Sequence, residues 1–108
     1  MKSLPFHNLS VNIGSNQSEN CTLYDSAQDD DIWLHVDGGS SAHLWIQKSQ
    51  HHIPGKLFRK IALLFKQHHK KYRYCNFIDI IYTQKKNLSK TTTKGLFIVN
   101  GPSKRIRV

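Results

Sequence analysis

Apolar and polar residues first alternate at Leu9-Ser-Val-Asn-Ile13, a half-buried strand pattern that stops at Gly14. Ser15 or Asn16 then stands where a helix cap belongs, and Glu19 falls in the turns that follow. Leu23, Tyr24 and Ala27 supply an apolar side, so a short helix is expected before the acidic run Asp29 to Asp31. Ile32 to Val36 and His43 to Gln47 read as two strands joined by Asp37-Gly-Gly-Ser-Ser-Ala42, a hairpin whose glycines suit a tight turn. Pro54 opens the strongest pattern. Leu57, Ile61, Leu64, Phe65 and Tyr72 recur at helical spacing and predict a long amphipathic helix ending near Tyr72. Phe77 to Thr83 reads as a β-branched strand, Gln84 to Lys94 as a lysine-rich loop, and Leu96 to Val99 as another strand. A Gly101-Pro102 turn and a last strand ending at Val108 complete the chain. These elements predict an α+β fold: a mixed, mostly antiparallel sheet of about five strands, one long amphipathic helix packed on a face and one short helix.

Composition agrees with one domain spanning residues 1–108, because 108 residues with 38% hydrophobic content sustain a single modest core. Cys21 and Cys75 lie far apart without paired spacing, so they are expected to be two buried thiols in a reducing compartment. No apolar run approaches the roughly 20 residues of a membrane span, and MKSLPFHNLS lacks a signal-like core, so a cytoplasmic location is expected. Charge changes the picture most. Sixteen Lys and Arg against seven Asp and Glu give +9, unevenly placed: residues 1–47 balance to −5 and residues 48–108 to +14. If the fold keeps these halves apart, one face carries a positive field that attracts phosphate backbones.

The densest candidate chemistry surrounds the predicted hairpin. Strand alternation puts Trp33, His35 and Asp37 on one face, and His43 and Trp45 extend it if the register cooperates. A Ser-His-Asp hydrolase is not expected, since there is no G-x-S-x-G elbow and no room for a substrate domain. A metal site at His35, Asp37 and His43 lacks characteristic ligand spacing. No catalytic residue, metal or cofactor is therefore assigned.

The same residues are similar to a known family. Asp31-Ile-Trp-Leu-His35-Val-Asp37, a small-residue turn and Ser41-Ala-His43-Leu-Trp45-Ile resemble the W-x-H and S-H signature of the NFACT-R domain. Upstream, Val11-Asn-Ile-Gly14-Ser-Asn16-Gln-Ser-Glu19-Asn20 resembles its opening strand, glycine-asparagine turn and E-N pair. Downstream, Ile78-Asp79-Ile-Ile-Tyr82-Thr-Gln-Lys-Lys86-Asn87-Leu-Ser-Lys90 resembles its V-D-Y-T and K-N-V-K-K stretch, and Gly95-Leu-Phe-Ile-Val its next strand. The resemblance spans residues 9–108. It implies an α+β RNA-binding module, usually the C-terminal part of larger ribosome-associated quality-control factors that bind the large ribosomal subunit and peptidyl-tRNA. Their other domains do not fit in this length, so the RNA-binding role alone is expected to carry over. The chain departs from the family at Gly38-Gly39-Ser40, where Pro-Gly is common, and in the short Thr91-Thr92-Thr93-Lys94-Gly95 segment.

The expected function is thus non-catalytic recognition of structured RNA, tRNA or rRNA, with the large ribosomal subunit as a further partner and no membrane. Lys85, Lys86, Lys90 and Lys94, with Arg59 and Lys60 on the long helix, are candidates to neutralise phosphates, and Asn87 to add a directed hydrogen bond. Around the hairpin turn, Trp33, His35, Asp37, Ser40, Ser41 and His43 form a second group of candidate contacts, with backbone N–H groups there able to cradle an anion. Trp33 and Tyr82 are candidates to stack on an unpaired base. Two other readings fit the sequence: docking to a ribosomal or other protein, and general binding of duplex DNA.

Overall fold

The computed structural model describes residues 1–6, 9–47 and 52–108. Strands β1 (Lys2–Phe6), β2 (Leu9–Gly14), β3 (Ile32–Val36), β4 (His43–Gln47), β5 (Asp79–Gln84) and β8 (Lys104–Arg107) form one sheet in the order β1-β2-β4-β3-β5-β8. Every neighbouring pair in it is antiparallel. Strands β6 (Leu88–Lys90) and β7 (Phe97–Val99) make a separate hairpin, and the helices are α1 (Gln17–Ser26) and α2 (Gly55–His68).

The class is the α+β fold that the sequence predicts, with a six-stranded sheet and no parallel pair in it. The sheet includes β1, whose Pro5 masks it in the sequence pattern, and lacks the strand predicted from Leu96 to Val99, which pairs with β6 instead; a proline is tolerated in β1 because it lies at the sheet edge. Strand β6 lies inside the stretch expected to be loop. Helix α2 stops at His68, earlier than its apolar spacing suggests. His69 ends it: Nδ1 donates to the Phe65 carbonyl at 2.8 Å, Nε2 accepts from the Ala42 N–H at 3.0 Å, and the backbone there turns extended.

Strand alternation sorts the residues into two cores. Val11, Ile13, Leu34, Val36, Leu44, Ile46 and Ile80 point to one face, which α2 covers with Ile61, Ala62 and Phe65, all fully buried. Burying a ring such as Phe65 contributes roughly 2–3 kcal/mol. Trp33 and Trp45 point to the opposite face and meet Leu23 of α1, Leu88 of β6 and Phe97 of β7. The sheet therefore lies between α2 on one side and α1 with the small hairpin on the other.

Helix α1 has little apolar surface and is fixed by its start. The Asn16 side chain accepts from the Glu19 N–H at 2.9 Å, while Glu19 reaches back to the Ser15 N–H at 2.9 Å. Gly14 permits the close approach of β2 to α1, since a Cβ there would stand 2.4 Å from Asn20 Oδ1. The cysteines depart from expectation: Cys21 on α1 is half-buried and Cys75, in the segment between α2 and β5, is exposed, and neither belongs to the two cores.

Candidate nucleic-acid interface

The β3–β4 register sets Trp33 opposite Trp45 and Leu34 opposite Leu44. His43 consequently lies beside His35, ring centroids 5.0 Å apart. Trp33 Nε1 donates to His43 Nδ1 at 3.1 Å, so neutral His43 carries its proton on Nε2. Phe97 covers the same imidazole at 5.4 Å. Burial, aided by His35, holds the His43 pKa down at about 3. His35 donates from Nδ1 to the Val36 carbonyl at 2.7 Å and stacks on Trp33, and burial lowers its pKa too. Both imidazoles are neutral at physiological pH and act through hydrogen bonds rather than charge.

The remaining hairpin candidates are occupied with the fold. Trp33 and His43 are buried beneath α1 and the β6–β7 hairpin, while His35 is half-buried. Asp37 Oδ2 accepts from Arg105 Nε at 2.6 Å. Ser41 Oγ accepts from the Val36 N–H at 3.1 Å and donates to the Ala42 carbonyl at 2.8 Å. Ser40 is exposed, and its carbonyl accepts from the Tyr72 hydroxyl at 2.8 Å. Tyr72 comes so close that a Cβ on Gly39 would stand 2.4 Å from its hydroxyl oxygen. Among the described residues, no group of three His, Cys, Asp or Glu side chains is placed to share a metal ion.

The lysines after β5 have partners of their own. Lys85 Nζ donates to the Ala27 carbonyl at 2.6 Å and lies 4.7 Å from the Tyr24 ring centroid. Lys90 pairs with Asp25 at 2.6 Å, a contact that raises the lysine pKa, and Lys86 stands 3.9 Å from Asp30. Lys94 donates to Ser18 Oγ at 3.2 Å. Asn87 Nδ2 donates to Thr83 Oγ1 at 3.0 Å and to the Pro102 carbonyl at 3.2 Å, tying β5 to the turn before β8. The fold therefore does not keep the acidic and basic halves apart here. The carboxylates around the end of α1 lie against the lysine loop and offset much of its charge.

Arg59 and Lys60 belong to a different surface, since α2 lies across the sheet from the lysine loop. From Gly38 to Ile78 the chain has eight Lys and Arg and no Asp or Glu. Lys56, Arg59 and Lys60 are exposed on α2, and Lys70, Lys71 and Arg73 on the turn that follows. Arg59 Nη1 donates to the Arg107 carbonyl at 3.1 Å and Arg73 Nε to the Gln67 carbonyl at 3.0 Å, which orients both without cancelling their charge. Lys56, Lys60 and Lys70 make no ion pair or side-chain hydrogen bond with another described residue.

Sequence reasoning missed two residues beside this surface. Tyr74 is 88% exposed and Phe77 is 70% exposed. The signal was the interleaving of aromatic and basic residues in Lys70-Lys-Tyr-Arg-Tyr-Cys-Asn-Phe77, where Tyr72 is buried and Tyr74 is not. Tyr82, a stacking candidate, is half-buried and packs on Phe58 at 4.6 Å.

Comparison with known proteins agrees with the motifs. The family model described as the NFACT protein RNA binding domain matches residues 6–104. Among solved structures, the C-terminal part of the fibronectin/fibrinogen-binding protein of Streptococcus suis superposes with a TM-score of 0.76 at 23% identity, a shared fold. That match covers 94% of this chain and 41% of the other, so the chain spans well under half of that relative. No curated protein gave a significant match.

Proposed function

Because the chain belongs to the NFACT RNA-binding domain family, a non-catalytic module whose partner is RNA, we propose that it recognises structured RNA, tRNA or rRNA, through the cationic surface of α2 and the turn after it. One observation carries this reading. Between Gly38 and Ile78 eight basic residues stand without an acidic one, and six of them are exposed on α2 and the turn that follows it. Such a surface releases counterions from a phosphate backbone and makes affinity steeply salt-dependent. The lysine loop then has a secondary part. Lys86 and Lys94 reach phosphates by exchanging their weaker partners, while Lys85 and Asn87 hold the loop in place. Phosphate contacts of this kind carry no sequence information, which favours recognition of RNA shape.

In this reading the module works in the cytoplasm beside the translation machinery, with the large ribosomal subunit as its larger target. The experiment is binding of the purified chain to tRNA, to rRNA hairpins and to duplex DNA at two salt concentrations. Preference for a structured RNA that persists at the higher salt supports the reading. Equal binding of all three that collapses with salt contradicts it. A second reading, docking to a protein, draws on Leu96 and Ile98, which leave an exposed apolar pair around β7 at 55% and 56% exposure. Binding to ribosomes that survives salt and RNase treatment would favour it.

A further inference from the structure

Tyr74 and Phe77 are large rings held in water by a segment that is itself firmly anchored. Tyr72, just before them, is buried and donates its hydroxyl to the Ser40 carbonyl. Ile78, just after them, exchanges backbone hydrogen bonds with Val108 at 2.7 and 3.0 Å. Between these anchors the N–H groups of Tyr72 and Arg73 both reach the His69 carbonyl, and the Cys75 N–H reaches that of Tyr72. The exposure is therefore a property of an ordered loop, which has already lost the chain entropy that ligand binding would otherwise remove. Three residues of chain span at most about 10 Å, so the two rings lie within reach of adjacent nucleotides.

The surroundings select the ligand. Lys70, Lys71 and Arg73 flank the rings, and no carboxylate lies in the segment between Gly38 and Ile78. A concavity of about 340 Å³ opens alongside, between Lys71 and Tyr72 on this loop and Gly38 and Gly39 of the hairpin turn; Asp37 and Asp79 also line it, each paired with an arginine of β8, Arg105 and Arg107. Exposed aromatic faces set among cations match the π-faces and phosphates of an unpaired nucleic-acid strand. Base pairs in a duplex keep those faces stacked on one another and out of reach.

We propose that Tyr74 and Phe77 form a stacking platform for unpaired bases of the bound RNA, with Lys70, Lys71 and Arg73 taking the neighbouring phosphates. The inference rests on the RNA-binding reading and deepens it: the module distinguishes loops, bulges or ends from continuous helix. Because both side chains project into solvent, replacing them leaves the two cores untouched.

The test is binding of a single-stranded RNA and a blunt RNA duplex of equal length, by fluorescence anisotropy, to the parent chain and to Tyr74→Ala/Phe77→Ala. A Tyr74→Trp/Phe77→Trp variant restores the rings. The expected result is at least about a tenfold loss of single-strand affinity in the alanine variant, the effect of one lost stacked base, with duplex affinity unchanged and single-strand affinity recovered by tryptophan. Indole emission of the tryptophan variant is also quenched by the single strand. Parent-like single-strand binding by the alanine variant overturns the platform and leaves the RNA-binding reading intact, reassigning the rings to a protein partner. Equal loss on both RNAs also overturns it, because stacking is then not what the rings supply. Failure of the parent chain to bind either RNA would remove the underlying reading itself.

Discussion

His43→Asn tests the buried imidazole pair through the pH dependence of stability. The Trp33 indole N–H spends its proton on His43 Nδ1, so a second proton on the ring has no acceptor at that atom. The folded-state pKa is held at about 3, against an ordinary value of 6.5. Below about pH 6.5 the unfolded chain therefore binds a proton at His43 that the folded chain does not. Stability from this residue is fully present above the unfolded pKa and is lost as pH falls toward the folded one, at about 1.4 kcal/mol per pH unit. Between about pH 7.5 and about pH 5 the loss amounts to roughly 2 kcal/mol. Asparagine keeps an acceptor oxygen for Trp33 and cannot titrate. His35, His68 and His69 also have lowered pKa values, burial being the leading cause at each, and they add to the acid sensitivity of both proteins alike. Urea denaturation at the two pH values isolates the difference. The variant should lose about 2 kcal/mol less than the parent, whatever its stability at the higher pH. Equal losses in the two proteins would refute the assignment of His43 as a buried, neutral acceptor.

Two further outcomes follow from contacts around the turn and the loop. Gly39→Ala should destabilise the chain by about 1–3 kcal/mol, because its Cβ collides with the Tyr72 hydroxyl, and Tyr72→Phe should relieve part of that cost when combined with it; thermal melting of the single and double variants checks this. Lys85→Met should lower stability by about 1–2 kcal/mol through loss of the Ala27 carbonyl contact, while leaving the salt dependence of RNA binding unchanged. A flattened salt slope in that variant would show that Lys85 contacts phosphate.

The elements were largely legible because their apolar residues recur at 2 or 3.6 positions. Leu9 to Ile13, the Trp33 hairpin and the α2 stripe all carried enough repeats to be read. Strand β6, Leu88–Lys90, has a single buried apolar residue in three, and β1 is interrupted by Pro5, so neither pattern stood out. The end of α2 depended on His69 reaching Ala42, 27 residues away, which local spacing does not encode. The family resemblance was carried by local motifs and was equally legible. The charge distribution was not: Lys90 meets Asp25 and Lys86 meets Asp30 only after α1 and the β6–β7 hairpin settle on the same sheet face. Helical spacing marked Tyr72 as apolar-facing, but the contact that buries it is with the Ser40 carbonyl across the fold, and nothing local marks Tyr74 as a ring left in solvent.

The central claim is that RNA binds chiefly through α2 and the turn after it, with the lysine loop secondary. The most direct measurement is the salt dependence of tRNA affinity for Lys56→Gln/Lys60→Gln/Lys70→Gln beside Lys85→Gln/Lys86→Gln/Lys90→Gln. If Lys56, Lys60 and Lys70 each hold a phosphate, the first variant flattens the log–log slope by about 2–3 units and the second by less than about one. The reverse order, with the slope set by Lys85, Lys86 and Lys90, would contradict the account.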